Sequence, residues 1–322
     1  MGCGNSRLLV FPASDESPSS PKALAESIRP LSQMRRDLDV ILFYRSLRNV
    51  FVSYLEEIHL AMLVFLYEDL LRLQTMERET IAETWAYVDH KYFHAPSCPL
   101  PHGYDRSIYG LFHLHDSQNP TDFKLSLQNL LHTMADELAG NIFEFTLSSS
   151  FMNFLKSESA PSSSIQLKPK ATNESVRVLL FDMGSFHGQV LSRLLQFAYY
   201  DVSLVNTKEA AFAEVRDGEY KLMILSNSIR GANTDTFLAD YSTYLRETHQ
   251  DQTSFRPPVL IYLSFKDDAG SNGGSDRFDY CFNIPVSIHE ILKIAPVTIA
   301  CDEISEFDTD TKSSSDFPVL IS

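Results

Sequence analysis

Basic residues are scarce in this chain: 27 Lys and Arg stand against 42 Asp and Glu, for a formal net charge of −15. That imbalance excludes sequence-independent binding to nucleic acid, which needs clustered cations on phosphate, and weakens any polybasic route to a membrane. Cysteine is equally sparse. Cys3, Cys98, Cys281 and Cys301 form no CxxC pair, which suits a reducing compartment rather than a disulfide scaffold. Long apolar runs are missing too: the richest one without charge, Leu60 to Tyr67, is far short of the roughly twenty residues of a membrane span. No secretory apolar region follows the start.

What is present is a length of 322 residues with 44% hydrophobic and 11% aromatic content, enough for two cored domains and tails. The first residues, Met1-Gly2-Cys3-Gly4-Asn5-Ser6, fit an N-myristoylation pattern at Gly2, and Cys3 is placed for palmitoylation. Two acyl chains anchor stably where one does not. The pattern therefore predicts attachment to the cytosolic face of a membrane, the plasma membrane first, with the cytoplasm as the alternative. Residues 1–36, with Ser17-Pro18-Ser19-Ser20-Pro21, read as a lipidated, disordered leader.

Residues 37–158 carry helical periodicity. The stretch Asn49 to Gln74 contains no Pro or Gly, and Phe51, Leu55, Ile58, Met62, Phe65, Leu66, Leu70 and Leu73 recur at three- and four-residue steps, predicting one long hub helix. Shorter helices are predicted before it, from Asp37, and after it, from Thr80, over Tyr104 to Leu114, Asp122 to Met134 and Leu138 to Phe145. Pro96, Pro99 and Pro101 enforce an irregular connection. His90, His94, Cys98 and His102 invite a zinc reading, but those prolines keep them off one helical face and their spacing matches no common zinc pattern. No metal is expected, and no cofactor.

The segments VFVSYL…FLYEDLLRL, KYFHAPSCPLPHGYDRSIYGLF and SSSFMNFLKS, in this order, resemble the regulator of G-protein signalling (RGS) family. The resemblance implies an all-α module that binds a G-protein α subunit and speeds GTP hydrolysis by positioning alone. It places the contact candidates at Glu57 and His59, at Tyr104 and Arg106, and at Ser149 and Asn153. The last two stand where the family carries an acidic residue and an arginine, so binding is expected with acceleration weakened or lost.

Residues 159–174 read as a linker. Beyond them, over residues 175–296, apolar strand-length runs (Val176 to Phe181, Asp201 to Val205, Lys221 to Leu225, Val259 to Leu263, Asp279 to Asn283) alternate with helical spacings (Met183 to Phe197, Lys208 to Arg216, Thr236 to Glu247, Ser287 to Ile294). This alternation predicts a doubly wound parallel sheet with any site at the carboxyl ends of the strands. The order resembles the response-regulator receiver family, which is flavodoxin-like. In that family the site combines an acidic pair, a phosphoacceptor Asp, a hydroxyl and a Lys. Here Asp182 stands for the first acid, Met183 replaces the second, Ser226 takes the acceptor's place, Ser264 keeps the hydroxyl, and Ile284 stands where Lys belongs.

The site is degenerate, because Ser226 cannot form an acyl phosphate and one carboxylate beside a methionine is a poor Mg2+ ligand set. Residues 297–322, acidic and hydroxyl-rich, read as a disordered tail. The sequence predicts a multidomain signalling protein, not an enzyme. Three functions follow: a membrane-tethered binder of a G-protein α subunit, a scaffold that uses both folds as interaction surfaces, or, against the residues at its site, a receiver that accepts phosphate at an unusual residue.

Overall fold

The structure, a computed structural model, describes residues 30–76, 84–88, 90–94, 120–157, 176–226, 232–248, 257–265 and 277–295. The amino-terminal part is helical: α1 (Leu31–Phe43), α2 (Arg45–Glu57), α3 (Ala61–Thr75), a helical turn at 84–88, a π-helical turn at His90–His94, α4 (Pro120–Gly140), α5 (Ile142–Leu147) and α6 (Ser149–Lys156). The carboxyl-terminal part runs β1 (Arg177–Phe181), α7 (Phe186–Phe197), β2 (Asp201–Val205), α8 (Lys208–Asp217), β3 (Leu222–Ser226), α9 (Ala232–Thr248), β4 (Val259–Phe265), β5 (Tyr280–Ile284) and α10 (Ile288–Ile294). Among the described residues no helix is long and apolar enough to cross a membrane.

The predicted hub helix is two helices. His59 turns left-handed (φ 61°) with no glycine present. The amide of Leu60 donates to Leu55 O at 2.8 Å and that of His59 to Glu56 O at 3.2 Å, the paired bonds of a Schellman cap, with Leu60 placed to pack on Leu55. Periodicity could not reveal this break, because the apolar residues on both sides keep helical spacing. α2 and α3 then fold back on each other, and Arg48 forks onto Glu68 across the turn. The first helix also departs from expectation: it begins at Leu31, inside the stretch read as leader. Tertiary partners hold it there, since Arg35 pairs with Asp136 and contacts His132 Nδ1 at 3.1 Å.

The α/β part is a five-stranded, all-parallel sheet in the order β2-β1-β3-β4-β5. This is the flavodoxin-like order of doubly wound folds. Successive strand residues face opposite sides. Val178, Leu180, Leu222, Ile224, Ile261 and Leu263 face one way, with Val190, Leu191 and Leu195 of α7 and Ile291 of α10. Leu179, Phe181, Met223 and Leu225 face the other, with Phe237 and Tyr241 of α9 and Ala211 of α8.

The first of these faces belongs to a hydrophobic core that continues without a break into the helical part. Phe151 stacks on Phe186 at 5.5 Å and Phe154 meets Phe197 edge-on at 5.8 Å, joining α6 to α7. Arg193 lies over the Phe197 ring and donates to Phe154 O at 3.3 Å. The layers are therefore α8 and α9, the sheet, α7 and α10, then the helical bundle.

Candidate functional site

The register aligns the carboxyl ends of the strands: Phe181 pairs with Leu225, Ser226 with Leu263, and Phe265 with Ile284. Asp182, Ser226, Ser264 and Ile284 thus come to one edge of the sheet, as the sequence predicts. Their chemistry there is another matter.

Asp182 is fully buried, and its carboxylate is turned back into the start of α7. It accepts from Ser185 N at 2.5 Å and from Ser185 Oγ at 2.8 Å, while Ser185 Oγ caps α7 by accepting from Gly188 N at 3.0 Å. The backbone amide of Asp182 donates to Val205 O at 2.9 Å, continuing the β1–β2 ladder. Gly188 is required at this place: a Cβ there would lie 2.3 Å from Asp182 Cγ. Gly184, at φ +87°, makes the turn between strand and cap. The predicted helix start at Met183 is therefore three residues early, because Asp182 to Ser185 form the cap.

A negative charge at a helix amino terminus is favourable. Asp182 serves that purpose, with its oxygens engaged by the chain itself. Met183 points outward, 55% exposed. Ser226 is buried, Ser264 half-buried, and Ile284 buried at the end of β5. One capped carboxylate with a thioether, two hydroxyls and an isoleucine does not fit Mg2+, which demands several hard oxygen ligands in near-octahedral geometry. Among the described residues no group of three His, Cys, Asp or Glu side chains is placed to hold a metal ion. Of the zinc candidates, His90 is exposed on the π-helical turn, while Cys98 and His102 lie outside the described residues.

His187 is a residue that sequence reasoning passed over. It is fully buried beside Asp182, and neither ring nitrogen has a hydrogen-bond partner. Burial pushes its pKa down to about 4, with the Asp182 charge pulling weakly the other way. The signal for the cap was present as Asp182-Met-Gly-Ser185 ahead of an apolar helical run. Nothing in the spacing indicated that His187 faces inward without a partner.

The edge is flanked by the helical bundle. Arg36 of α1 lies over the ring of Phe265, the last residue of β4, at 4.7 Å. Tyr44, between α1 and α2, donates its hydroxyl to Val286 O at 2.7 Å, just past β5. Burial raises the Tyr44 pKa well above the phenol range and keeps it neutral.

The contact candidates on the helical part are at the surface. Glu57 and His59 are exposed at the α2–α3 turn, and Ser149 and Asn153 are exposed on α6. Phe51 of α2, Phe145 of α5 and Phe151 of α6 pack in sequence at 4.9 and 5.1 Å, so α2 and α6 are neighbours. Ser148 Oγ caps α6 by accepting from Phe151 N at 3.2 Å. Tyr104 and Arg106, and the lipidation candidates Gly2 and Cys3, lie outside the described residues.

No family model matches the chain, and no curated protein matches it. Among solved structures it is similar to a response regulator signal receiver domain from Bermanella marisrubri, at 18% identity over 37% of this chain and 94% of that one, with a TM-score of 0.29. It is similar to the response regulator TrrA from Thermotoga maritima, solved with Mg2+ and BeF, at 20% identity over 36% and 93%, with a TM-score of 0.29. An adenylate cyclase from Rhodopirellula baltica matches at 16% identity over 37% and 84%, with a TM-score of 0.28. The flavodoxin-like description of the α/β part rests on its own strand order.

Proposed function

We propose that this chain is a non-enzymatic signalling protein, tethered to a membrane through Gly2 and Cys3, whose helical part binds a G-protein α subunit. The observation that carries the reading is the α2–α3 turn. The RGS resemblance assigns a contact to Glu57 and His59, a position that periodicity alone puts inside a helix, and the structure has an exposed turn there, at the end of α2, the helix that neighbours α6 with its exposed Ser149 and Asn153. Neutral Ser149 and Asn153 replace an acid and an arginine. Each lost charge-assisted contact removes roughly 1.5 to 3 kcal/mol, so binding persists in weaker form while acceleration of hydrolysis largely disappears.

The test uses the full chain, because the two parts share a core. Pull-down with GTP-loaded against GDP-loaded α subunits should favour the GTP state, and single-turnover hydrolysis should rise little. Ser149→Asp with Asn153→Arg should raise it. Strong acceleration by the unmodified chain, or no binding in either nucleotide state, overturns the reading.

A second reading is a scaffold for other signalling partners. It is favoured by the inward Asp182 carboxylate, which leaves the receiver-like edge with a structural cap in place of phosphoryl chemistry.

A further inference from the structure

α6 carries two of the contact candidates, yet its own length does not hold it together. It has eight residues, and isolated helices shorter than about 12 residues are marginal in water. One face is buried through Phe151 and Phe154. The opposite stripe, Ser149, Met152, Asn153 and Lys156 at helical spacing, is exposed. Whatever grips the buried face therefore sets where the stripe stands.

The helical part grips it at Phe151, against which Phe145 of α5 tilts at 5.1 Å. The remaining grip comes from α7, across the boundary between the two parts. Phe186, the first residue of α7, stacks on Phe151 at 5.5 Å, and Phe197, its last, meets Phe154 edge-on at 5.8 Å. Between them Arg193 Nε donates to Phe154 O at 3.3 Å. That carbonyl lies in the last turn of α6, where the helix has no amide left to reach it, and a cation at a helix carboxyl end is favourable. Arg193 is itself fixed, with its guanidinium 4.2 Å from the Phe197 ring centroid and Nη1 donating to Gln196 Oε1 at 2.8 Å. α6 is thus capped at its start by its own Ser148 and at its end by a residue 39 positions away.

We infer that α7 is a positioning element for the α6 surface: the α/β part, through Phe186, Arg193 and Phe197, holds the stripe Ser149, Met152, Asn153 and Lys156 in place for a protein partner. The three positioning residues lie on the side of α6 away from that stripe. The nature of the partner rests on the proposed function above; the holding of α6 does not.

The holding is tested on the full chain with no GTPase present. Arg193→Ala should speed amide hydrogen exchange over residues 152–157 at least fivefold while the amides of α1 and α4 stay unchanged, and Arg193→Lys, which keeps a cationic donor, should restore most of the protection. Phe186→Leu keeps an apolar side chain in the core and should speed exchange in the same helix. Unchanged exchange in α6, or a rise of equal size across α1 and α4, overturns the inference, the first because the helical part alone then holds α6 and the second because the loss is global. The double variant Phe186→Leu with Arg193→Ala should also bind the GTP-loaded α subunit at least threefold more weakly than the unmodified chain. Equal binding by a variant whose α6 exchanges faster removes α7 from the partner contact. Absence of binding by the unmodified chain sinks the α-subunit reading alone, since exchange decides the holding of α6 without it.

Discussion

Replacing His187 tests the reading of the buried strand end directly. The imidazole is fully buried with both nitrogens unpartnered, and its pKa is about 4 in the folded chain against about 6.5 unfolded. The folded value lies below the unfolded one, so the unfolded chain takes up the proton first as pH falls. Stability is therefore full above about pH 6.5 and is lost on acidification toward pH 4. At about 1.4 kcal/mol per decade the whole loss is on the order of 3 kcal/mol, roughly half of it between pH 7 and pH 5.

His187→Leu, of similar volume, removes both the titration and the unpaired nitrogens, whose burial costs on the order of 1 to 3 kcal/mol. Urea unfolding of both proteins at pH 7 and pH 5 should show the variant at least as stable at pH 7, with a pH dependence shallower by on the order of 1 to 2 kcal/mol. Carboxylates titrate in both proteins and cancel in the comparison. Equal slopes, or a variant strongly destabilised at pH 7, would refute the picture of an unpartnered, neutral imidazole.

Four further outcomes are expected. Gly188→Ala should destabilise by about 1 to 3 kcal/mol despite the better helix propensity of Ala, because its Cβ would meet the pinned Asp182 carboxylate; a raised urea midpoint would contradict the cap geometry. His59→Gly should stabilise by about 1 kcal/mol, since glycine adopts the left-handed cap conformation without the penalty of a Cβ, read as a higher midpoint in the same assay. Gly2→Ala should move the protein from membrane to soluble fractions and Cys3→Ser should weaken retention; unchanged fractionation with Gly2→Ala removes the lipid anchor from the function. Incubation with acetyl phosphate and Mg2+ should leave Asp182 and Ser226 unmodified by mass spectrometry, and an adduct at either would restore phosphoryl chemistry to this edge.

The sequence alone determined the parts of this protein that follow from local pattern. Buried parallel strands need near-continuous apolar runs, and β1, β2, β3, β4 and β5 lie within one or two residues of the predicted runs. That Met183, Ser226 and Ile284 stand where the receiver family carries its second acid, acceptor Asp and Lys was legible by residue type, without coordinates. Tertiary structure decided what depends on contacts between distant residues. The division of the hub helix rests on a left-handed His59 that no composition rule marks, and the early start of α1 rests on Arg35 reaching Asp136, 101 positions away. The inward turn of Asp182 and the isolation of His187 arise from where α7 packs. A boundary that reads as a linker in sequence is crossed in space by Phe151 on Phe186 and Tyr44 on Val286, because apolar faces on both sides of it are buried only against each other.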